Sequence, residues 1–233
     1  YILGDFVWTA LDYLGESSIG RAYYKGKEKD GFHTEHLYPW HGGYCGDIDL
    51  TGLRKPISHY RDMLYNPDKK LYMAVREPNG YRGEIKVTDW GVWPTWESWN
   101  WQGHEGKPIE VEVCSHYPKV RLYLNDALVG ESPAGYEQQF KAVFTLPYQE
   151  GTLRAAGVDA NGTEQETVVL KTAGASASIR LTTQEPNIKA DGQDLAFVIA
   201  EVVDKEGNVV PDAANEITFS IRGAGTLEAT GSA

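Results

Sequence analysis

Val120-Arg121-Leu122-Tyr123-Leu124-Asn125-Asp126 is the stretch on which the fold turns. Apolar side chains at 120, 122 and 124 alternate with Arg121 and Tyr123, the period of two that gives a strand one face for a core and one for solvent. Asn125-Asp126 then ends the run with two residues suited to a turn. The same period appears upstream, where Val111 and Val113 alternate with Glu110 and Glu112, and downstream at Phe140, Ala142, Phe144 and Leu146. Pro133-Ala134-Gly135 and Asn161-Gly162 supply further turns, the second a strong hairpin signal. Short strands at this spacing over residues 70–172 predict an immunoglobulin-like β-sandwich. Val111, Val113, Leu122, Leu124, Phe140 and Phe144 are its expected inward row. The fold class is therefore mainly β, built of immunoglobulin-like β-sandwiches.

Beyond this region the small, polar run Thr172-Ala173-Gly174-Ala175-Ser176-Ala177 reads as a linker. Residues 176–233 repeat the strand pattern: Leu195, Phe197 and Ile199 alternate, Glu206-Gly207-Asn208 turns, and Ile217, Phe219 and Ile221 alternate again. The segment is well short of the about 100 residues of a complete immunoglobulin-like domain, so it reads as a partial sandwich.

Residues 1–66 differ. Ile2-Leu3-Gly4-Asp5-Phe6-Val7-Trp8 is an apolar run suited to a strand buried on both faces. A charged loop passes through Lys25 to Gly31, and a Gly-rich stretch runs from Tyr38 to Asp47. A helix is predicted from Pro56, with Ile57, Tyr60 and Leu64 as its apolar stripe and Asn66-Pro67 as its stop. One strand, a long loop and one helix cannot bury their own faces. The region reads as the end of a larger unit, and the chain as beginning and stopping within larger domains. An apolar strand without its neighbours needs cover, either by refolding locally against the helix or by pairing with a second copy of the chain, so a homo-oligomer is one of two expected states.

Among the 233 residues the net charge is −11, which leaves no basic surface to displace counterions from nucleic acid or to bind anionic lipid. No apolar run approaches the roughly 18 residues of a membrane span, so membrane insertion is not expected. Tyr1-Ile2-Leu3-Gly4-Asp5 lacks the basic start of a signal peptide. Cys45 and Cys114 show neither metal spacing nor a disulfide framework and are expected as buried free thiols. Seven Trp and fourteen Tyr are enough to build sugar platforms, although most such rings fill cores.

Glycoside hydrolysis needs two carboxyl groups flanking the sugar, about 5–5.5 Å apart when configuration is retained. Asp12 with Glu16 and Asp47 with Asp49 are the candidate pairs, but each sits in one short segment and would approach the sugar from one side. Turn capping is the favoured role for them. His33, His36, His41, His59, His104 and His116 show no helical metal motif, and no nucleophile elbow or phosphate-cradling loop is present, so neither a metal nor a cofactor is expected. Trp90, Trp93, Trp96, Trp99 and Trp101 form either a sugar platform or a loop packed on the domain beside it, with packing favoured.

Gly4-Asp5-Phe6-Val7-Trp8-Thr9-Ala10-Leu11-Asp12-Tyr13-Leu14-Gly15-Glu16 resembles the eighth barrel strand and following loop of bacterial family 2 β-galactosidases, and Tyr44-Cys45-Gly46-Asp47-Ile48-Asp49-Leu50-Thr51-Gly52-Leu53-Arg54-Lys55-Pro56 resembles the loop leading to their last barrel helix. The 70–172 region is similar to the sandwich that follows the barrel in such enzymes from gut Bacteroidetes, through Trp99-Asn100-Trp101 and Val120 to Asn125. The 176–233 region is similar, less specifically, to invasin-like immunoglobulin modules. The resemblance implies three units: the end of a (β/α)8 barrel over 1–66, a sandwich over 70–172 and a partial sandwich over 176–233. It implies that both catalytic glutamates lie on earlier barrel strands, so that this chain carries no catalytic residue. Trp8, at the rim of the pocket, becomes the expected substrate-binding residue, with a cis Trp8–Thr9 peptide. The implied parent is a periplasmic or secreted retaining exo-β-galactosidase acting on β-galactoside carbohydrate. Its rivals are a β-glucuronidase or β-mannosidase, and a carbohydrate-binding or adhesin-like module without catalysis.

Overall fold

The structure, a computed structural model, describes residues 4, 7–15, 17, 19–26, 42–183 and 185–231. Most of the strand expected over 2–8 lies outside these residues, as do Glu16, His33, His36 and His41.

Eight strands make two four-stranded antiparallel sheets. The first contains β4 (Leu71–Arg76), β6 (Thr95–Trp96), β7 (Pro108–Ser115) and β10 (Lys141–Pro147) in the order β10-β7-β4-β6. The second contains β8 (Lys119–Leu124), β9 (Ala127–Pro133), β11 (Thr152–Val158) and β12 (Glu164–Lys171) in the order β12-β11-β8-β9. Their facing rows meet in one core: Met73, Val75, Val111, Val113 and Phe144 from the first sheet, Val120, Leu122, Leu124, Leu153 and Ala155 from the second. This is the sandwich that the alternation predicts. The β8–β9 hairpin closes through Asn125 and Asp126, with φ of 49° and 65°, the left-handed pair that a two-residue hairpin loop matched to strand twist requires.

One member of the expected inward row is displaced. Gln139 and Phe140 both have positive φ, so β10 starts at Lys141 and Phe140 stays outside the strand. Its ring lies 4.6 Å from His116 instead of in the core. Both cysteines are buried and free, and burial pushes the Cys114 thiol up to about 12.

Helix α1 (Pro56–Tyr65) begins and ends as Pro56 and Asn66 predict. Its contact face is not the expected one: Ser58 and Met63 are buried, Ile57 and Tyr60 are half-buried, and Leu64 is exposed. The reason is the surface beneath it, the outward face of β4, β7 and β10, which carries Tyr72, Glu112 and Lys141. Such a surface is met by polar and ring contacts. The His59 ring stacks on Tyr72 at 4.5 Å, Lys141 Nζ sits 4.7 Å from the Tyr60 ring centre, and His116 Nε2–H donates to the Met63 carbonyl at 2.7 Å.

The remaining strands are short. β1 (Tyr13–Leu14) pairs with β3 (Gly42–Gly43), and β2 (Ala22–Lys25) pairs antiparallel with β5 (Glu84–Val87), which lies between β4 and β6 in sequence. After the linker, β13 (Ser178–Thr183) and β14 (Val198–Val203) form one antiparallel ribbon. Leu195 and Phe197 precede β14, and Ile217, Phe219 and Ile221 form no strand, so the expected alternation there fails. No second sheet among the described residues faces this ribbon, and without one an apolar row has nothing to pack on. Asp204 fastens the ribbon to the linker by accepting from Asn208 Nδ2 and from the Gly174 N–H, contacts that hold its pKa down at about 2.

Candidate functional site

Two backbone segments zip together to build the site. The Asp47 N–H donates to the Thr9 carbonyl at 3.1 Å, Ile48 N–H to Ala10 at 3.0 Å, and Asp12 N–H back to Ile48 at 2.8 Å. Leu11 and Ile48 form a parallel bridge. The Trp8–Thr9 peptide is cis, as the resemblance implies.

Asp12 anchors the crossing. Its buried carboxylate accepts from the Gly46 N–H at 2.8 Å and from Lys55 Nζ at 2.7 Å, and Lys55 also donates to the Tyr44 carbonyl at 2.9 Å. The charge is therefore paired and hydrogen-bonded, which is how a buried carboxylate is tolerated. Gly46 makes the approach possible: a Cβ there would lie 2.2 Å from the Asp12 nitrogen and 2.4 Å from the Leu11 carbonyl carbon. Both are backbone atoms that cannot step aside. Gly46→Ala should accordingly separate the two segments, at about 1–3 kcal/mol for overpacking. Loss of hydrogen-exchange protection at the Asp12 and Ile48 amides would report it, and unchanged protection would show that the crossing has slack.

The other candidate carboxylates also have structural duties. Asp49 Oδ1 accepts from the Thr51 N–H, the Thr51 hydroxyl and the Leu53 N–H, at 2.8, 2.7 and 3.0 Å. Asp47 lies 3.3 Å from Arg61; burial raises its pKa, against the pull of Arg61, Lys55 and Arg54. Lys55 is the partner that sequence reasoning missed, although it sits inside the second quoted motif. Of the described histidines, His104 hydrogen-bonds the Pro108 carbonyl, while His59 and His116 join α1 to the sheet. Among the described residues no three His, Cys, Asp or Glu side chains converge on a metal-sized site.

The tryptophan cluster divides into three. Trp99 and Trp101 belong to the sandwich core. Trp93 and Trp96 are tied to Glu77, the first through its backbone carbonyl at 2.9 Å and the second through its carboxylate at 3.0 Å. Trp90 stands apart, 62% exposed, with its ring 6.4 Å from that of Trp8 at a 57° tilt. Trp8 is itself 61% exposed and meets Tyr13 edge-on at 6.3 Å. Three rings from two segments, Trp8 and Tyr13 from one and Trp90 from the other, thus form an aromatic surface. Aromatic faces left open in this way can take the C–H face of a sugar ring by dispersion and polarisation.

Residues 179–233 match glycoside hydrolase family 2 C-terminal domain 5, and residues 106–166 match a domain of unknown function, DUF4982. These matches, with the relatives and structures below, support the chain as a C-terminal fragment of a glycoside hydrolase family 2 protein. It is similar to a β-galactosidase of Bacteroides ovatus, 28% identical over 97% of this chain and 22% of the relative. It is also similar, at 28% identity over 78% of this chain and 17% of the relative, to a β-glucuronidase of Formosa agariphila. Among solved structures, a family 2 glycosyl hydrolase of Bacteroides cellulosilyticus superposes with a TM-score of 0.73 and 32% identity, over 89% of this chain and 26% of that one. The chain spans about a fifth of the length of the curated relatives it matches. No helix among the described residues is long and apolar enough to cross a membrane.

Proposed function

We propose that this chain is the non-catalytic C-terminal part of a retaining exo-glycosidase that removes terminal β-galactosyl groups, with Trp8 lining the sugar subsite. One observation carries the reading: Trp8 keeps an open aromatic face at the end of a segment clamped by backbone hydrogen bonds and the Asp12–Lys55 pair. The name of the Bacteroides ovatus relative supports galactose as the sugar. The names of the two Formosa agariphila relatives favour a second reading, β-glucuronide. In either, residues 1–66 close the catalytic barrel, the sandwiches brace it or join copies of the enzyme, and the parent acts in the periplasm or outside the cell.

The chain by itself should not hydrolyse an aryl β-galactoside, because Asp12, Asp47 and Asp49 are spent on turns and ion pairs and removing members of a catalytic unit costs several orders of magnitude. Turnover by the purified chain that Asp12→Asn or Glu16→Gln abolishes would overturn this. In the full-length protein that carries this sequence, a preference for aryl β-galactoside over aryl β-glucuronide is expected. The opposite preference would move the assignment to the second reading.

A further inference from the structure

We infer that Trp90, supplied by the sandwich side of the chain, forms the wall against which the aglycone of the substrate rests, adjacent to the subsite of Trp8. The inference rests on the functional reading above and adds to it a residue that selects what is attached to the cleaved sugar.

Trp90 is not packed into the core of this chain. Its backbone has φ of 62°, a left-handed conformation that is an outlier for so bulky a side chain and that persists only where surroundings impose it. The surroundings are visible. The Thr88 N–H donates to the Arg21 carbonyl at 2.9 Å, the Arg21 N–H to Thr88 Oγ1 at 2.9 Å, and the Gly20 N–H to the Asp89 carbonyl at 2.9 Å. Gly91 closes the turn where a Cβ would lie 2.5 Å from Val87 Cγ1 and 2.8 Å from the Arg21 carbonyl oxygen. The turn 88–91 is thus riveted to residues 20–21, and its geometry sends a large ring outward. Among the described residues no hydrogen bond holds the Trp90 indole N–H, whereas those of Trp93, Trp96, Trp99 and Trp101 are all bound to oxygens.

The spacing separates two ways of using the ring. A pyranose held between two aromatic faces needs about 8 Å between them, twice a contact distance of about 4 Å. Trp8 and Trp90, at 6.4 Å and a 57° tilt, are too close and too splayed to sandwich one sugar. They form two adjoining walls of an open V. With a terminal sugar on Trp8, the next group along the substrate meets Trp90. A flat or sugar-like aglycone would gain contact there, and a substrate without an aglycone would gain nothing.

The test uses the full-length enzyme carrying this sequence and two substrates of the sugar it hydrolyses: the glycosyl fluoride, which has almost no aglycone, and a disaccharide. Trp90→Ala should lower kcat/KM for the disaccharide about tenfold, mostly through KM, and leave the fluoride within about twofold, while Trp90→Tyr restores most of the loss. Trp8→Ala should impair both substrates. Equal loss on both substrates in Trp90→Ala, or no loss on either, overturns the inference while a Trp8→Ala defect keeps the functional reading. No effect of Trp8→Ala, or no glycoside turned over by the wild type, overturns both.

Discussion

Trp99→Ala should lower the stability of the sandwich by about 4 kcal/mol, the cost of deleting a fully enclosed indole and leaving its cavity. The ring has no exposed surface, donates from Nε1 to the Gln149 carbonyl at 2.9 Å, and meets Tyr148 edge-on at 5.0 Å. Tyr148 in turn donates to the Trp99 carbonyl at 3.2 Å and accepts from the Trp101 N–H at 3.1 Å. The residue also fastens the end of β12, since the Thr172 hydroxyl donates to the same carbonyl at 2.9 Å. A fall in melting temperature of roughly 15 °C or more is expected. A shift of only a few degrees would show that this end of the sandwich collapses around the gap.

Glu77→Ala should cost about 3 kcal/mol through a different physics. Glu77 is a carboxylate with 1% of its surface exposed, and it accepts from the Tyr24 hydroxyl at 2.8 Å and from Trp96 Nε1 at 3.0 Å. Burial and the hydrogen bond to Glu77 together push the Tyr24 phenol up to about 12. Alanine strands two partly buried donors, each worth about 1–3 kcal/mol when unmatched. Glu77→Gln keeps an acceptor for one of them and should lose about half as much. Because Tyr24 lies on β2 and Trp96 on β6, loosened amide protection in β2 should accompany the loss. Global destabilisation with β2 protection unchanged would mean that Glu77 serves the sandwich alone.

The sandwich was legible in the sequence because its strands obey a two-residue period over a single closed core: Val111, Val113, Leu122, Leu124 and Phe144 all turn inward. Phe140 broke the pattern through backbone conformation, which hydrophobicity does not encode. Ile57, Tyr60 and Leu64 misled for another reason. A helical stripe marks the buried face only when the opposing surface is apolar, and here that surface offers Tyr72, Glu112 and Lys141. Ile217, Phe219 and Ile221 carry the alternation of a strand, but among the described residues no partner strand gives it a ladder. At the candidate site, the cis Trp8–Thr9 peptide could be expected from resemblance. The pairing of Asp12 with Lys55, 43 positions apart, and the separation of Trp90 from its four neighbours depend on the folded chain.

The pairing of β2 with β5 bears on how such a chain can recombine. Residues 66–70 look in the sequence like a seam before the sandwich, yet β5 lies beyond that seam and bonds backward to β2 over Ala22↔Val87 to Lys25↔Glu84. The Arg21–Thr88 hydrogen bonds and the Tyr24–Glu77 contact cross in the same direction. A crossover at the seam would therefore separate β5 from the strand it pairs with. The contacts between β2 and β5 would then have to be rebuilt by substitution on both sides of the seam.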